Sequence, residues 1–177
     1  TGPLRLVCAH GRHDTCCAVR GRPLAAALAG ADPDATWECS HVGGCRFAPA
    51  LVLLPHGFVF GGVPAGDAVA VAKEHAAGRV DARYLRGRSA LPPAAQAAQH
   101  HARLATGATG VDDLRVATVD SPAPGRWRVA FTAPDVVVEL AERTVDAGRP
   151  LTCAAGGRGR ARPVSYTHLT LPTKRIV

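Results

Sequence analysis

Apolar positions in the first hundred residues come in short runs whose period alternates between strand and helix. Leu4-Arg-Leu-Val-Cys8 predicts a short buried strand. A loop with Gly11 follows. Cys17 through Leu28 then reads as a helix, with Asp14 or Thr15 as N-cap and with Gly21 and Pro23 weakening its first turns. Gly30 to Asp34 predicts a turn, and Ala35 to Ser40 a second strand. Ala50–Leu54 and Phe58–Phe60 are two apolar runs split by Pro55-His-Gly57, the pattern of a β-hairpin. Pro64 opens a helix through about Ala77, with a stripe over Val69, Ala70, Ala72 and Lys73. Arg83 to Ser89 reads as a loop, and Pro92 or Pro93 begins a further helix through about Leu104.

The order is β-α-β, then a hairpin, then a helix. Parallel neighbours need a crossover, and crossovers are almost always right-handed. The expected architecture is therefore α/β, a thioredoxin-like sheet flanked by helices, over residues 1–107. Beyond Gly107 the texture changes to three strand-like runs, Leu114–Val119, Trp127–Phe131 and Val136–Leu140, joined by Pro/Gly turns. They predict a small β-rich extension over 108–163, with a loose Gly/Arg stretch at 156–162. From Val164 the composition shifts again. Residues 164–177 resemble an in-frame translation of a sequencing adapter, and are expected to be a non-native tail without function. The chain has no Met and runs directly into a strand, so it is expected to be a truncated fragment.

Composition narrows the function classes. The formal charge of +7 falls by two when Lys174 and Arg175 are set aside with the tail, and the remaining excess is scattered Arg. Aromatic residues are few and not interleaved with Arg, which argues against nucleic-acid binding. No apolar run reaches the roughly 18 residues of a membrane helix. The six cysteines do not suggest a secreted disulfide framework, because two are adjacent and five lie in clusters beside His. A reducing cytoplasm is the expected compartment.

Those clusters carry the chemistry. The first is Cys8-Ala-His-Gly-Arg-His-Asp-Thr-Cys16-Cys17, and the second is Cys39-Ser-His41-Val-Gly-Gly-Cys45. Thiolates and imidazoles bind soft and borderline metals. In the expected sheet, strand one delivers Cys8 to an edge, and Cys17 falls near a helix N-terminus whose partial positive charge favours a thiolate. Strand two brings His41 and Cys45 to the same edge. Gly43 and Gly44 allow a tight turn with backbone N–H groups near the metal. Arg12 and Arg46 flank these residues and can offset negative charge, and His13 is a candidate supporting group. Cys16 is a spare thiol or an alternative to Cys17, since sequence does not fix the register. Cys39 reads as a core thiol, Trp37 and Phe47 as packing, and Asp14 as a cap. Cys153 stands alone and reads as structural. No carboxylate pair suggests glycoside hydrolysis.

Cys-x8-Cys, followed by Trp-Glu-x-Ser-His-x-Gly-Gly-x-Arg-Phe-Ala and a Leu-Pro-x-Gly hairpin, resembles the sucrase/ferredoxin-like proteins, thioredoxin-like [2Fe–2S] ferredoxins. The likeness runs from Leu4 to about Arg88, and more loosely through Trp127-Arg-Val and Leu-Thr-Cys153. In that family two Cys and two His hold the cluster. The resemblance implies Cys8 and Cys17 as the Cys pair and His41 as the first His. Cys45 stands where the family has its second His, so a Cys3His set is implied. The function implied is a non-catalytic one-electron carrier working with redox partner proteins. A structural zinc site is the alternative, since Cys3His is also a zinc set. A thiol–disulfide oxidoreductase ranks last, because it would need Cys-x-x-Cys at the helix start and none is present.

Overall fold

The computed structural model describes residues 3–12, 14–148, 150–153, 155–161 and 164–170. The chain starts with β1 (Leu4–Cys8), crosses over through α1 (Thr15–Ala31), and returns as β2 (Thr36–Cys39), parallel to β1 with Cys8 beside Cys39. The hairpin strands β3 (Ala50–Leu54) and β4 (Phe58–Gly61) follow, β3 antiparallel to β1. A 3₁₀ turn at Ala65–Asp67 leads into α2 (Ala68–Ala76), and β5 (Leu85–Arg88) closes a five-stranded sheet in the order β2-β1-β3-β4-β5. A parallel β1–β2 pair joined by a helix, with an antiparallel hairpin on the other side of β1, is the thioredoxin-like arrangement expected from the sequence.

Helix α1 buries Cys17, Ala18, Gly21, Leu24, Ala25 and Leu28, three or four apart, which is one face of a helix. That face meets the alternate residues of the hairpin. Val7, Leu51, Leu53, Phe58 and Phe60 are buried with Leu24, Leu28 and Val71 in one apolar cluster. Each such side chain contributes roughly 1.5–3 kcal/mol on leaving water. Gly21 has a specific role. A Cβ there would lie 2.2 Å from the Cys8 carbonyl oxygen, so its lack of a side chain lets α1 press against the end of β1.

The segment expected as a loop at 83–89 contains β5. Its Leu-Arg-Gly-Arg sequence lacks an apolar pattern. It pairs with β4 across a bulge, and Gly87 is left-handed at φ 150°, with the Gln96 side chain filling the space a Cβ would need. Trp37 also departs from expectation. It lies on the sheet's outer strand β2 and is 59% exposed rather than packed.

Helix α3 (Pro93–Thr106) starts on a proline and ends at Gly107, which is left-handed at φ 70°. After it come β6 (Arg115–Ala123), β7 (Arg126–Thr132) and β8 (Val136–Glu142), then a two-stranded ribbon of β9 (Val145–Asp146) and β10 (Arg160–Ala161). Residues Val164–Thr170, within the stretch expected to be a non-native tail, form β11, which pairs antiparallel with β8. The second sheet runs β11-β8-β7-β6. Its core unites Leu114, Val129, Phe131, Val136, Val138 and Leu140 with Ala94, Ala95, Ala98 and Ala102 of α3. The alanine face of α3 thus packs on the second sheet, although the chain order groups α3 with the first. Arg103, 2% exposed, links the two regions. It donates to the carbonyls of Ala108 (3.0 Å), Gly110 (2.9 Å) and Asp113 (3.4 Å), and its guanidinium lies 5.8 Å from the Phe58 ring centre. No described helix is long and apolar enough to cross a membrane.

Candidate metal centre

Three cysteines from three separate elements meet at one end of the first sheet. Cys8 ends β1, Cys17 lies in the first turn of α1, and Cys45 opens a 3₁₀ turn at Cys45–Phe47. All three are buried and form a small cluster of their own with Ala48 and Ala50, and Cys16 packs at its side. The Cys17 thiol lies in one buried cluster with Cys45 and Cys8. His41 completes the group, its Nδ1 lying 3.2 Å from Cys45 Sγ. The four residues singled out in the sequence are therefore brought together, three of them buried and His41 at the exposed rim.

Local backbone explains how residues 40–47 make this turn. Gly43 and Gly44 hold φ of 87° and 65°, a region that favours glycine. Gly44 then caps the 3₁₀ turn through its carbonyl, which accepts from Phe47 N–H at 2.8 Å. At the other pair, Cys17 N–H donates to Asp14 C=O at 3.0 Å, so α1 begins within reach of the thiols.

Burial governs the electrostatics. Loss of water pushes the Cys17 thiol well above its ordinary range, helped by the neighbouring Cys45 and Cys8 thiols. The Cys45 thiol is raised by the same burial and by Asp14 beside it. Cys39, on the neighbouring strand, is raised by burial and by Cys8. Crowded, dehydrated thiols resist ionising next to one another. A cation that replaces their protons removes that repulsion, which is why metal uptake releases protons from such sites.

The supporting residues divide. Gly43 and Gly44 shape the loop as described. Arg46 is exposed and stacks on Phe47, its guanidinium 4.4 Å from the ring centre, and Arg86 stacks on the same ring at 4.6 Å. Arg12 is exposed in the loop between β1 and α1. His13 lies outside the described residues. Cys16 turns to a different neighbourhood from Cys17. Its Sγ reaches the Cys45 carbonyl at 3.8 Å, and its backbone N–H donates to Cys153 Sγ at 3.3 Å.

Asp14 and Cys153 have larger parts than the sequence indicated. Asp14 occupies the N-cap position, but its side chain makes no capping bond. It is 1% exposed, and its Oδ1 accepts a hydrogen bond from the Cys153 thiol. Asp14, Cys16 and Cys153 present one oxygen and two sulfur atoms within 4.8 Å of one another, a group able to hold a metal ion. Cys153 follows Cys16 by 137 residues, so no local spacing could have signalled the contact.

The model of the sucrase/ferredoxin-like family matches residues 2–87, which contain Cys8, Cys17, His41 and Cys45. Among solved structures, the chain is similar to the Cys55Ser variant of a thioredoxin-like [2Fe–2S] ferredoxin from Aquifex aeolicus. The likeness has 20% identity and a TM-score of 0.43, and covers 49% of this chain and 100% of that one. No curated protein matches the chain significantly.

Proposed function

We propose, from the premise that residues 2–87 belong to the sucrase/ferredoxin-like family, that this chain is a one-electron carrier. Cys8, Cys17, Cys45 and His41 would hold a [2Fe–2S] cluster. The observation that carries this reading is the meeting of three buried thiols and one imidazole at the end of the first sheet. The donor set fits, because thiolates are the usual ligands of such clusters and His replaces Cys in some of them. When bound, the cluster supplies reversible one-electron chemistry.

The chain's own residues set the conditions. Burial of the thiols keeps water from the sulfur atoms, while His41 is exposed at the rim. A neutral His in place of a thiolate removes one negative charge and makes reduction easier. Two-His centres lie at about −150 to +300 mV and all-Cys ferredoxins of the plant type at about −400 mV, so one His points between them. Electron donors and acceptors would be redox proteins in a reducing cytoplasm, where six free thiols persist. Thiol–disulfide exchange is disfavoured, because burial raises the Cys17 and Cys45 thiols whereas an attacking cysteine needs a lowered pKa.

Anaerobic reconstitution tests the reading. The expected product is a reddish-brown protein with two irons and two acid-labile sulfides per chain. Cys8→Ser, Cys17→Ser and His41→Ala should each impair assembly, and Cys45→His should keep a cluster and raise its potential. Colourless protein carrying zinc alone would overturn the proposal in favour of a structural zinc site. Assembly retained in Cys17→Ser but lost in Cys16→Ser would move the ligand to Cys16.

A further inference from the structure

Beside the buried thiols, Asp14, Cys16 and Cys153 form a group that the electron-carrier reading does not use. Asp14 and Cys16 come from the start of α1. Cys153 comes from the loop between β9 and β10, closed at its base by the Ala147 N–H donating to the Gly159 carbonyl at 2.9 Å. Leu151 packs into the space a side chain at Gly159 would fill, and this fixes the approach of the loop. Cys153 then lies between two groups of α1. It donates through its thiol to Asp14 Oδ1 and accepts from Cys16 N–H at 3.3 Å.

We infer that Asp14, Cys16 and Cys153 are a second metal-binding set, which takes one thiophilic divalent cation of the Zn2+ type. Four features support this. The three donor atoms lie within 4.8 Å of one another, compatible with ligation of a single ion. Two sulfurs and one carboxylate oxygen favour zinc-like ions over magnesium and calcium, which take oxygen ligands. The Cys16 N–H already points at Cys153 Sγ, the kind of donor that stabilises a metal-bound thiolate. Finally, a pocket of about 200 Å³ opens beside the set, lined by Cys16, Arg20, Cys45, Arg46, Leu151 and Cys153. It leaves room for water or a small anion as a fourth ligand, the arrangement of open zinc sites. Arg20 and Arg46 face the net negative charge such a site would carry. Binding exchanges the two thiol protons for the cation, with no change of oxidation state. The ion would tie the 147–159 loop of the C-terminal region to the start of α1.

Cobalt(II), a coloured substitute for zinc, reads the site in the full chain after anaerobic cluster loading. The expected result is one Co2+ per chain beyond the iron, with thiolate-to-cobalt absorption and the intense visible bands of a tetrahedral ion. Cys153→Ser should weaken this Co2+ at least about tenfold, since even outer-shell losses cost 10–100-fold, and should leave iron and sulfide unchanged. Cys153→His, which restores a ligand, should recover binding. Equal Co2+ binding by wild type and Cys153→Ser would overturn the inference. So would loss of the iron cluster in Cys153→Ser, which would make Cys153 part of the first centre, and so would a Cys16–Cys153 disulfide in protein prepared without oxidant. The triple variant Cys8→Ser/Cys17→Ser/Cys45→Ser separates the two proposals. It should carry no iron cluster yet bind Co2+ through Cys153, whether or not wild type assembles a cluster.

Discussion

The two sheets of this chain solve different problems. Among the described residues, the second buries only apolar side chains from its strands, against the alanine face of α3, and its strands pair through antiparallel ladders. The first sheet has an equally apolar core, but at one end it converges on thiols that are separated from that core into a cluster of their own. The difference lies in connection. Adjacent antiparallel strands of the second sheet need only short turns. The parallel β1–β2 pair requires a crossover, so a strand end, a helix start and a loop arrive together. That is where side chains from distant parts of the sequence meet. Beyond the second sheet's β8, the chain returns through β9 and β10 so that Cys153 reaches the start of α1.

A large core truncation tests how separate the regions are. Phe131 is 3% exposed in the second core, and Phe131→Ala should cost about 3–5 kcal/mol. Urea unfolding followed by far-UV circular dichroism measures that loss. If the first sheet supports its site alone, the reconstituted cluster should survive at urea concentrations where the variant's second sheet has melted. Coincident loss of both signals would show one cooperative unit, with α3 and Arg103 coupling the cores.

A smaller but more local effect is expected at Gly21. Gly21→Ala puts a methyl group 2.2 Å from the Cys8 carbonyl, so the helix or the strand end must shift. Overpacking of this kind costs about 1–3 kcal/mol. Because the shift falls on the backbone of Cys8, cluster loading should fall with it. Gly30→Ala, on the same helix with nothing within 4 Å of the added Cβ, should instead stabilise by about 0.5–1 kcal/mol and leave loading intact. Equal loading in the two variants would remove the role assigned to the close α1–β1 approach.

What the sequence revealed follows the same division. β1 and β3 were legible to the residue, because apolar runs bounded by turns report strands directly. That Cys8, Cys17, His41 and Cys45 meet was legible because they lie in two short clusters, and the fold needs only one crossover to join them. β5 was hidden because Arg-Gly-Arg carries no apolar alternation, its glycine being demanded by the Gln96 side chain. Gly21 looked like a helix weakness because its value is a contact with β1, not a local preference. Asp14 looked like a cap, and its carboxylate instead meets the Cys153 thiol, which arrives from the far end of the chain. Long-range contacts without a local signature were the common cause.

The smallest expected effect concerns acid. His75 lies in the first region's core, 5% exposed, in edge-on contact with Phe58 and Phe60, and shares a 3.1 Å hydrogen bond with His56. Burial, with His56 and Arg88 nearby, pushes it down to about 4 from an ordinary 6.5. Above pH 6.5 the ring is neutral in both folded and unfolded chains, and stability is unaffected. Between 6.5 and about 4 the unfolded chain takes up a proton that the folded core refuses, so stability falls as pH falls. Each pH unit in that window is worth at most about 1.4 kcal/mol, and the loss levels off below about 4. On α3, His100 and His101 are also lowered by burial but are only half-buried, so the second region should carry a weaker slope. Hydrogen exchange from pH 7 to 4.5 compares the regions directly. After correction for intrinsic rates, amides of β3 and β4 should lose protection more steeply than those of β7 and β8. His75→Gln should flatten the difference, and an unchanged slope in that variant would assign the acid sensitivity to other groups.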